Sequence, residues 1–194
     1  MRAFLVAACI LATAAPRPAN HASPQYACID DPALFIPSAD TIDSSDHILA
    51  LASLENPGGF GGQFWGRMRG VGAEDKMNIY FTDPDLAEQA LISLENWDHN
   101  RMIGFTTDVS YYNVLRGDYS FAQLYACYTV LFQGPWPRIL SDSLGHADID
   151  EVTNRIHFGV HGDSTVKRQV AAGLAELSVP PEIFKVVKGL RIQY

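Results

Sequence analysis

Apolar positions along this chain fall into two passages of the same rhythm. Within 44–55, Ile48, Leu49, Ala52 and Leu54 recur at roughly helical steps, with Asp43 or Ser44 as N-cap and Asn56-Pro57-Gly58-Gly59 as the stop. Two aromatic and β-branched runs follow, FGGQFWG at 60–66 and KMNIYFT at 76–82, which predict a hairpin. Thr82-Asp83-Pro84 opens a helix over 84–95, whose Leu86, Ala90, Leu91 and Leu94 share one face. VSYYNVLR at 109–116 predicts a third strand. Ser120 then caps FAQLYACYTVLFQ, where Phe121, Leu124, Tyr125, Tyr128, Leu131 and Phe132 recur at three- and four-residue steps, a helix with a broad apolar face.

The second passage repeats the first. Residues 143–151 and 154–160 predict a hairpin around Glu151-Val152-Thr153. Gly162-Asp163-Ser164 caps a helix with the stripe Val166, Val170, Leu174 and Leu177. Val179-Pro180-Pro181 breaks it, and IFKVV supplies a last strand. Aligned by pattern, MNIYFTDPDLAEQAL and RIHFGVHGDSTVKRQVAAGL share a strand, an aspartate cap and a helix in the same order. Strand–helix–strand units cross over right-handedly and lay their helices on one face of the sheet. The expected class is therefore α+β: two hairpin–helix–strand units, each a small sheet with a covering helix, joined by the helix over 120–133. One core or two is left open. The boundaries predicted are a leader at 1–22, an extended arm and first helix at 23–57, the first unit with its linking helix at 58–133, and the second unit with its C-terminal segment at 134–194.

The start of the chain changes the picture of where it works. Arg2 precedes thirteen uncharged, largely apolar residues, and Ala12-Thr13-Ala14 fits a small-residue cleavage site, so a signal peptide and a secreted or periplasmic protein are expected. The apolar run is shorter than the ~20 residues a membrane span needs. Cys9 lies too early for a lipoprotein signal. Removal of residues 1–22 takes Arg2 and Arg17 and no acid, which lowers the net charge from −8 to −10. So acidic a chain is repelled by phosphate backbones and anionic bilayers, so no nucleic-acid partner is expected, and no membrane association after leader removal. Cys28 and Cys127 remain. In an oxidising compartment they could form one bridge from the arm to a later helix; the alternative is two thiols, Cys127 packed in a core and Cys28 in the arm.

Candidate chemistry is sparse. There is no G-x-S-x-G, and GDYS at 117–120 and GDST at 162–165 read as helix caps. Cys127 sits mid-helix. His157 and His161, four apart on a strand, lie about 13 Å from each other and cannot share a zinc. His146, Asp148 and Asp150 alternate along a strand and are likewise spread out. Asp30-Asp31 falls in the arm, and Asp83 and Asp85 belong to a helix start, where negative charge is favoured. The glycines at 58–62 lack the Lys-Ser/Thr of a phosphate loop and are explained by flexibility around a hairpin. The expectation is a non-enzymatic protein without a metal or cofactor.

Taken in order, GGFGGQFW, NIYFTDP with its Ala/Leu helix, VLRGDYSFAQLYA, ID-EVTNRIHFGV and LAELSVPPEIFKVV resemble the pro-region-like domain ahead of secreted bacterial chymotrypsin-like serine proteases, the streptogrisin and α-lytic protease type. The resemblance spans 58–187. It implies an inhibitor and folding chaperone of such a protease, whose C-terminal half pairs its sheet with a protease hairpin while the terminal segment lies in the active-site cleft like a bound product. Leu190, Arg191, Ile192, Gln193 and Tyr194 would then form the partner-binding segment, with Tyr194 offered to an aromatic-accepting pocket. No protease sequence follows here, so no catalytic residue carries over. Two alternatives stand beside this reading: a truncated remnant of a protease precursor, and a secreted binding module without a protease partner, using Trp65, Trp97, Trp136, Tyr111 and Tyr112 as exposed aromatics. Against exposure, Trp65 and one of Tyr111 and Tyr112 are expected in the core, because adjacent strand residues face opposite ways.

Overall fold

The computed structural model describes residues 26–39, 44–98, 104–133, 143–177 and 179–189. Its elements in chain order are α1 (Ala27–Asp30), α2 (Ser45–Leu54), β1 (Phe60–Trp65), β2 (Met77–Phe81), α3 (Ala87–Asp98), β3 (Tyr112–Arg116), α4 (Phe121–Gln133), β4 (Leu144–Asp150), β5 (Arg155–Val160), α5 (Ser164–Ala175) and β6 (Phe184–Lys188). The fold is α+β with two three-stranded sheets, ordered β1-β2-β3 and β4-β5-β6. In each, the first two strands are antiparallel and the third is parallel to the second. The hairpin–helix–strand repeat is thus real, and with α2 and α4 leading into the two hairpins it extends to a helix before each copy.

The likeness of the copies reaches backbone detail. Each hairpin carries an irregularity early in its first strand, between Phe60 and Gln63 and between Leu144 and His146. An aspartate cap follows each second strand: Asp83 accepts from Asp85 N–H, and Asp163 accepts from Thr165 and Val166 N–H. A 3-10 turn (Val109–Tyr111; Pro181–Ile183) leads into each third strand. A glycine then closes each sheet: Gly117 N–H donates to the Phe81 carbonyl and Gly189 N–H to that of Val160. VLRG and VVKG are therefore structurally equivalent.

Several boundaries move. The helix expected over 84–95 begins as a 3-10 turn, Pro84–Leu86, because proline supplies no N–H and Asp83 caps the turn. The strand expected over 109–116 starts only at Tyr112. The arm is not extended throughout: Ala27–Asp30 is a helical turn and Pro32–Phe35 a 3-10 turn. The cause is Cys28, which is bridged to Cys127 on α4 with Cα atoms 5.0 Å apart, so the bridge and not the pair of thiols holds. Gln123 reinforces it, its Nε2 donating to the Ile29 carbonyl at 3.0 Å.

One continuous core serves both units. Phe60, Ile79, Phe81, Leu91 and Leu94 of the first merge with Ile156, Phe158, Val160, Val170 and Leu174 of the second. The joining element is α4. Its Phe121 stacks near Phe60 at 6.3 Å between centroids, and its Phe132 stacks near Phe158 at 6.4 Å. Ser120 and Gln123 fix the start of α4 as a reciprocal capping box, Gln123 N–H donating to Ser120 Oγ and Ser120 N–H to Gln123 Oε1. That is the work of the serine in GDYS.

Candidate functional site

Two features of the second unit stand out: the turn of its hairpin and the free edge of its sheet. The turn, residues 151–154, inserts against the first unit. Asn154 there has φ +51°, a left-handed conformation that asparagine tolerates better than most residues. It is buried. Its Nδ2 donates to the carbonyls of Gly61 (3.0 Å) and Tyr119 (2.9 Å), and its Oδ1 accepts from Tyr119 N–H (2.9 Å). One side chain thereby satisfies three backbone groups of the first unit and of the segment entering α4. Tyr80 Oη donates to the Val152 carbonyl at 3.0 Å, and Val152 packs with Phe64 and Tyr80 on the outer side of the first sheet. Arg155 pairs with Asp118 and lies over the Tyr119 ring.

This seam corrects the reading of the glycines at 58–62 as a flexible hairpin. A Cβ on Gly61 would come within 2.8 Å of the Tyr119 carbonyl oxygen, and Gly62, at φ +112°, has the Glu151 side chain 3.1 Å from where its Cβ would stand. They are glycines because the turn is pressed against them.

The Asp150 carboxylate gathers the polar groups of the turn. It pairs with Arg69 from the β1–β2 loop, accepts from Thr153 Oγ1 at 3.1 Å, and lies 3.0 Å from His157 Nδ1; His157 Nε2 is in turn 3.0 Å from Thr153 Oγ1. Hydroxyl, imidazole and carboxylate are the groups of a nucleophilic relay. The geometry is not that of one. The in-plane directions of the two imidazole nitrogens diverge, so two oxygens only 3.1 Å apart cannot both lie along them. The three groups form a closed triangle around one carboxylate oxygen, already held by Arg69, and this closes the turn. Burial lowers the His157 pKa, opposed by the nearby Asp150 charge.

On its outer face the second sheet is polar. His146, Asp148 and Asp150 share that face of β4, as their alternation predicts, opposite Gly159, His157 and Arg155 of β5, with Lys185 beyond on β6. The His146 ring lies across Gly159, where a Cβ would come within 1.9 Å of it. Among the described residues no group of three or more His, Cys, Asp or Glu side chains is arranged to hold a metal.

β6 is an edge strand: β5 pairs with one side, and no strand among the described residues pairs with the other. Lys185 and Lys188 are exposed along it. Beside its start, a groove of about 440 Å³ is lined by Tyr26, Tyr119 and Pro181, with Asp30 and Glu182. The chain leaves β6 through Gly189 into Leu190, Arg191, Ile192, Gln193 and Tyr194. These five lie outside the described residues, as do the expected leader and Trp136.

The aromatic expectations divide. Tyr112 is buried, its Oη accepting from Thr106 N–H at 3.0 Å, while Tyr111, the last residue of the 3-10 turn before the strand, is exposed. Trp65, expected in the core, is 54% exposed and lies 6.1 Å from the Tyr111 ring. Trp65 pairs with Met77 and so shares the face of Ile79 and Phe81, but it is the last residue of β1 and lies at the rim of the core. Trp97 is half-buried against the core rather than part of an exposed patch. Of the seam residues, Glu151 was read only as part of the hairpin turn, and Asn154 and Arg69 were not singled out by sequence reasoning; the one available signal was asparagine next to a turn between two strands.

Scanned against protein-family models and searched against curated proteins, the chain finds no match. Among the described residues no helix is long and apolar enough to cross a membrane.

Proposed function

We propose that this chain is a non-catalytic, pro-region-like domain that inhibits, or chaperones the folding of, a secreted chymotrypsin-like serine protease. The observation that carries the reading is the different fate of the two equivalent strand exits. Among the described residues β3 and β6 are both edge strands; after Gly117 the chain turns into α4 and is committed to the core, whereas after Gly189, its counterpart, it continues into residues 190–194. An edge with free main-chain groups can accept an added strand, and a segment that continues from such an edge can enter a cleft beside the added strand. The Cys28–Cys127 bridge is compatible with the oxidising compartment that such a partner inhabits.

The test is titration of a bacterial chymotrypsin-like protease with the purified chain and with the same chain ending at Gly189. Submicromolar inhibition that weakens at least about tenfold without residues 190–194 supports the reading, and digestion of the chain with no inhibition removes it.

One observation favours a second reading, a secreted binding module with no protease partner: the exposed Trp65–Tyr111 pair on the first unit. Such a module would lose ligand on Trp65→Ala and keep it on removal of residues 190–194. The protease reading requires the reverse.

A further inference from the structure

The seam between the units contains a second arrangement, of like charges rather than hydrogen bonds. Glu151 opens the β4–β5 turn. Its Cγ and the Phe121 ring both approach the place where a Gly62 Cβ would stand, at 3.1 and 3.4 Å, so the side chain is folded against β1 and α4. Its charged neighbours come from both units. The charges of Asp46 on α2, in the first unit, and of Asp148 and Asp150 on β4, in the second, all disfavour its ionised form. The cations nearby are already engaged, Arg69 by Asp150 and Arg155 by Asp118. His157 of β5 lies against Asp150 and Thr153. From α4, Tyr128 feels both Asp46 and Asp148, and from β2, Tyr80 feels Asp150.

We propose that this seam is a proton-operated latch, closed while the Glu151 carboxyl is neutral and loosened when it ionises against Asp46, Asp148 and Asp150. The turn that carries Glu151 also carries Val152 and Asn154, which make the hydrogen bonds across the seam, so repulsion at its first residue acts on those bonds directly. Burial, followed by these three acids, moves the Glu151 pKa from 4.5 up to about 7, and burial with Asp148 raises that of Asp46. The folded state thus holds a proton at Glu151 that the unfolded chain releases above about pH 4.5, and the latch weakens as pH rises from there through about 7. His157 works in the opposite sense, since its lowered pKa makes it charge only on the acid side of its ordinary range.

The test is amide hydrogen exchange of the purified chain at pH 5.5 and pH 8, corrected for intrinsic rates, followed in segments 60–64, 117–122 and 151–154. The latch predicts that the opening constant of all three segments rises together by at least about tenfold at pH 8. It also predicts that Glu151→Gln abolishes the rise and that Asp46→Asn shifts its midpoint to lower pH, since removing a like charge favours the ionised form of Glu151. Exchange independent of pH in the unmodified chain, or an undiminished rise in Glu151→Gln, would overturn the proposal.

Discussion

The two sheets share a topology and differ in what lies on their outer faces. The first is covered on both sides: Ile79, Phe81 and Tyr112 face the common core, while Phe64, Tyr80 and Leu115 on the other side are roofed by Val152 from the second unit and by Val71. Among the described residues the second sheet is covered on its inner face alone, by Ile156, Phe158, Val160 and Phe184 against the core and α5, and its outer face carries His146, Asp148 and Lys185 in the open. A repeat can keep its backbone devices, the aspartate caps, the 3-10 turns and the closing glycines, while side chains divide the work. The first unit is the scaffold that receives the turn; the second provides the turn and, among the described residues, leaves its outer face uncovered, while β3 and β6 are edge strands alike.

If that division is right, the largest effect comes from the element tying the arm to the helix that both units share. Replacing Cys28 and Cys127 by serine opens a crosslink spanning 99 residues of sequence, an expected loss of up to about 4–5 kcal/mol from chain entropy, read as a lower urea midpoint. Next is Asn154→Ala, which leaves buried backbone groups of both Gly61 and Tyr119 without their partner and places alanine at positive φ. We expect about 2–4 kcal/mol, and a smaller loss for Asn154→Gly, which removes the same bonds but accepts the backbone. Equal losses would mean that the hydrogen bonds alone hold the seam. Glu151→Gln should act through pH: the unmodified chain loses up to about 3 kcal/mol between pH 4.5 and 8, and the variant should lose little of it, by denaturation at both ends of that range. The smallest effect is Trp65→Ala. For a half-exposed side chain outside the core we expect a change within about 1 kcal/mol, and a larger one would show that the first sheet's rim is structural.

Much of this arrangement was legible in the sequence because it depends on local rules. Helical spacing located α2, α4 and α5, Asp83-Pro84 and Asp163 announced their helices, and the order of strands and helices gave both units. What stayed hidden depends on contacts between distant segments. Nothing near Asn154 specifies that it will bond to Gly61, 93 residues away, and nothing in GGFGG distinguishes a glycine that bends from one against which another turn is pressed. Trp65 was misplaced because the pattern of a strand shows which face a side chain takes and not how far the core extends along it: Trp65 shares the face of Ile79 but ends the strand. The pairing of Cys28 with Cys127 was undecided for the same reason: two cysteines show that a bridge can form, and only the packing of the arm on α4 brings them together.

The most direct test of the division between the units is hydrogen exchange of the chain with and without a catalytically inactivated bacterial chymotrypsin-like protease. A partner that adds to the free edge should protect the amides of β6 and leave β3, its equivalent in the first unit, unchanged. Protection at β3 or around Trp65 with β6 unaffected would contradict the assignment of the second unit as the binding one.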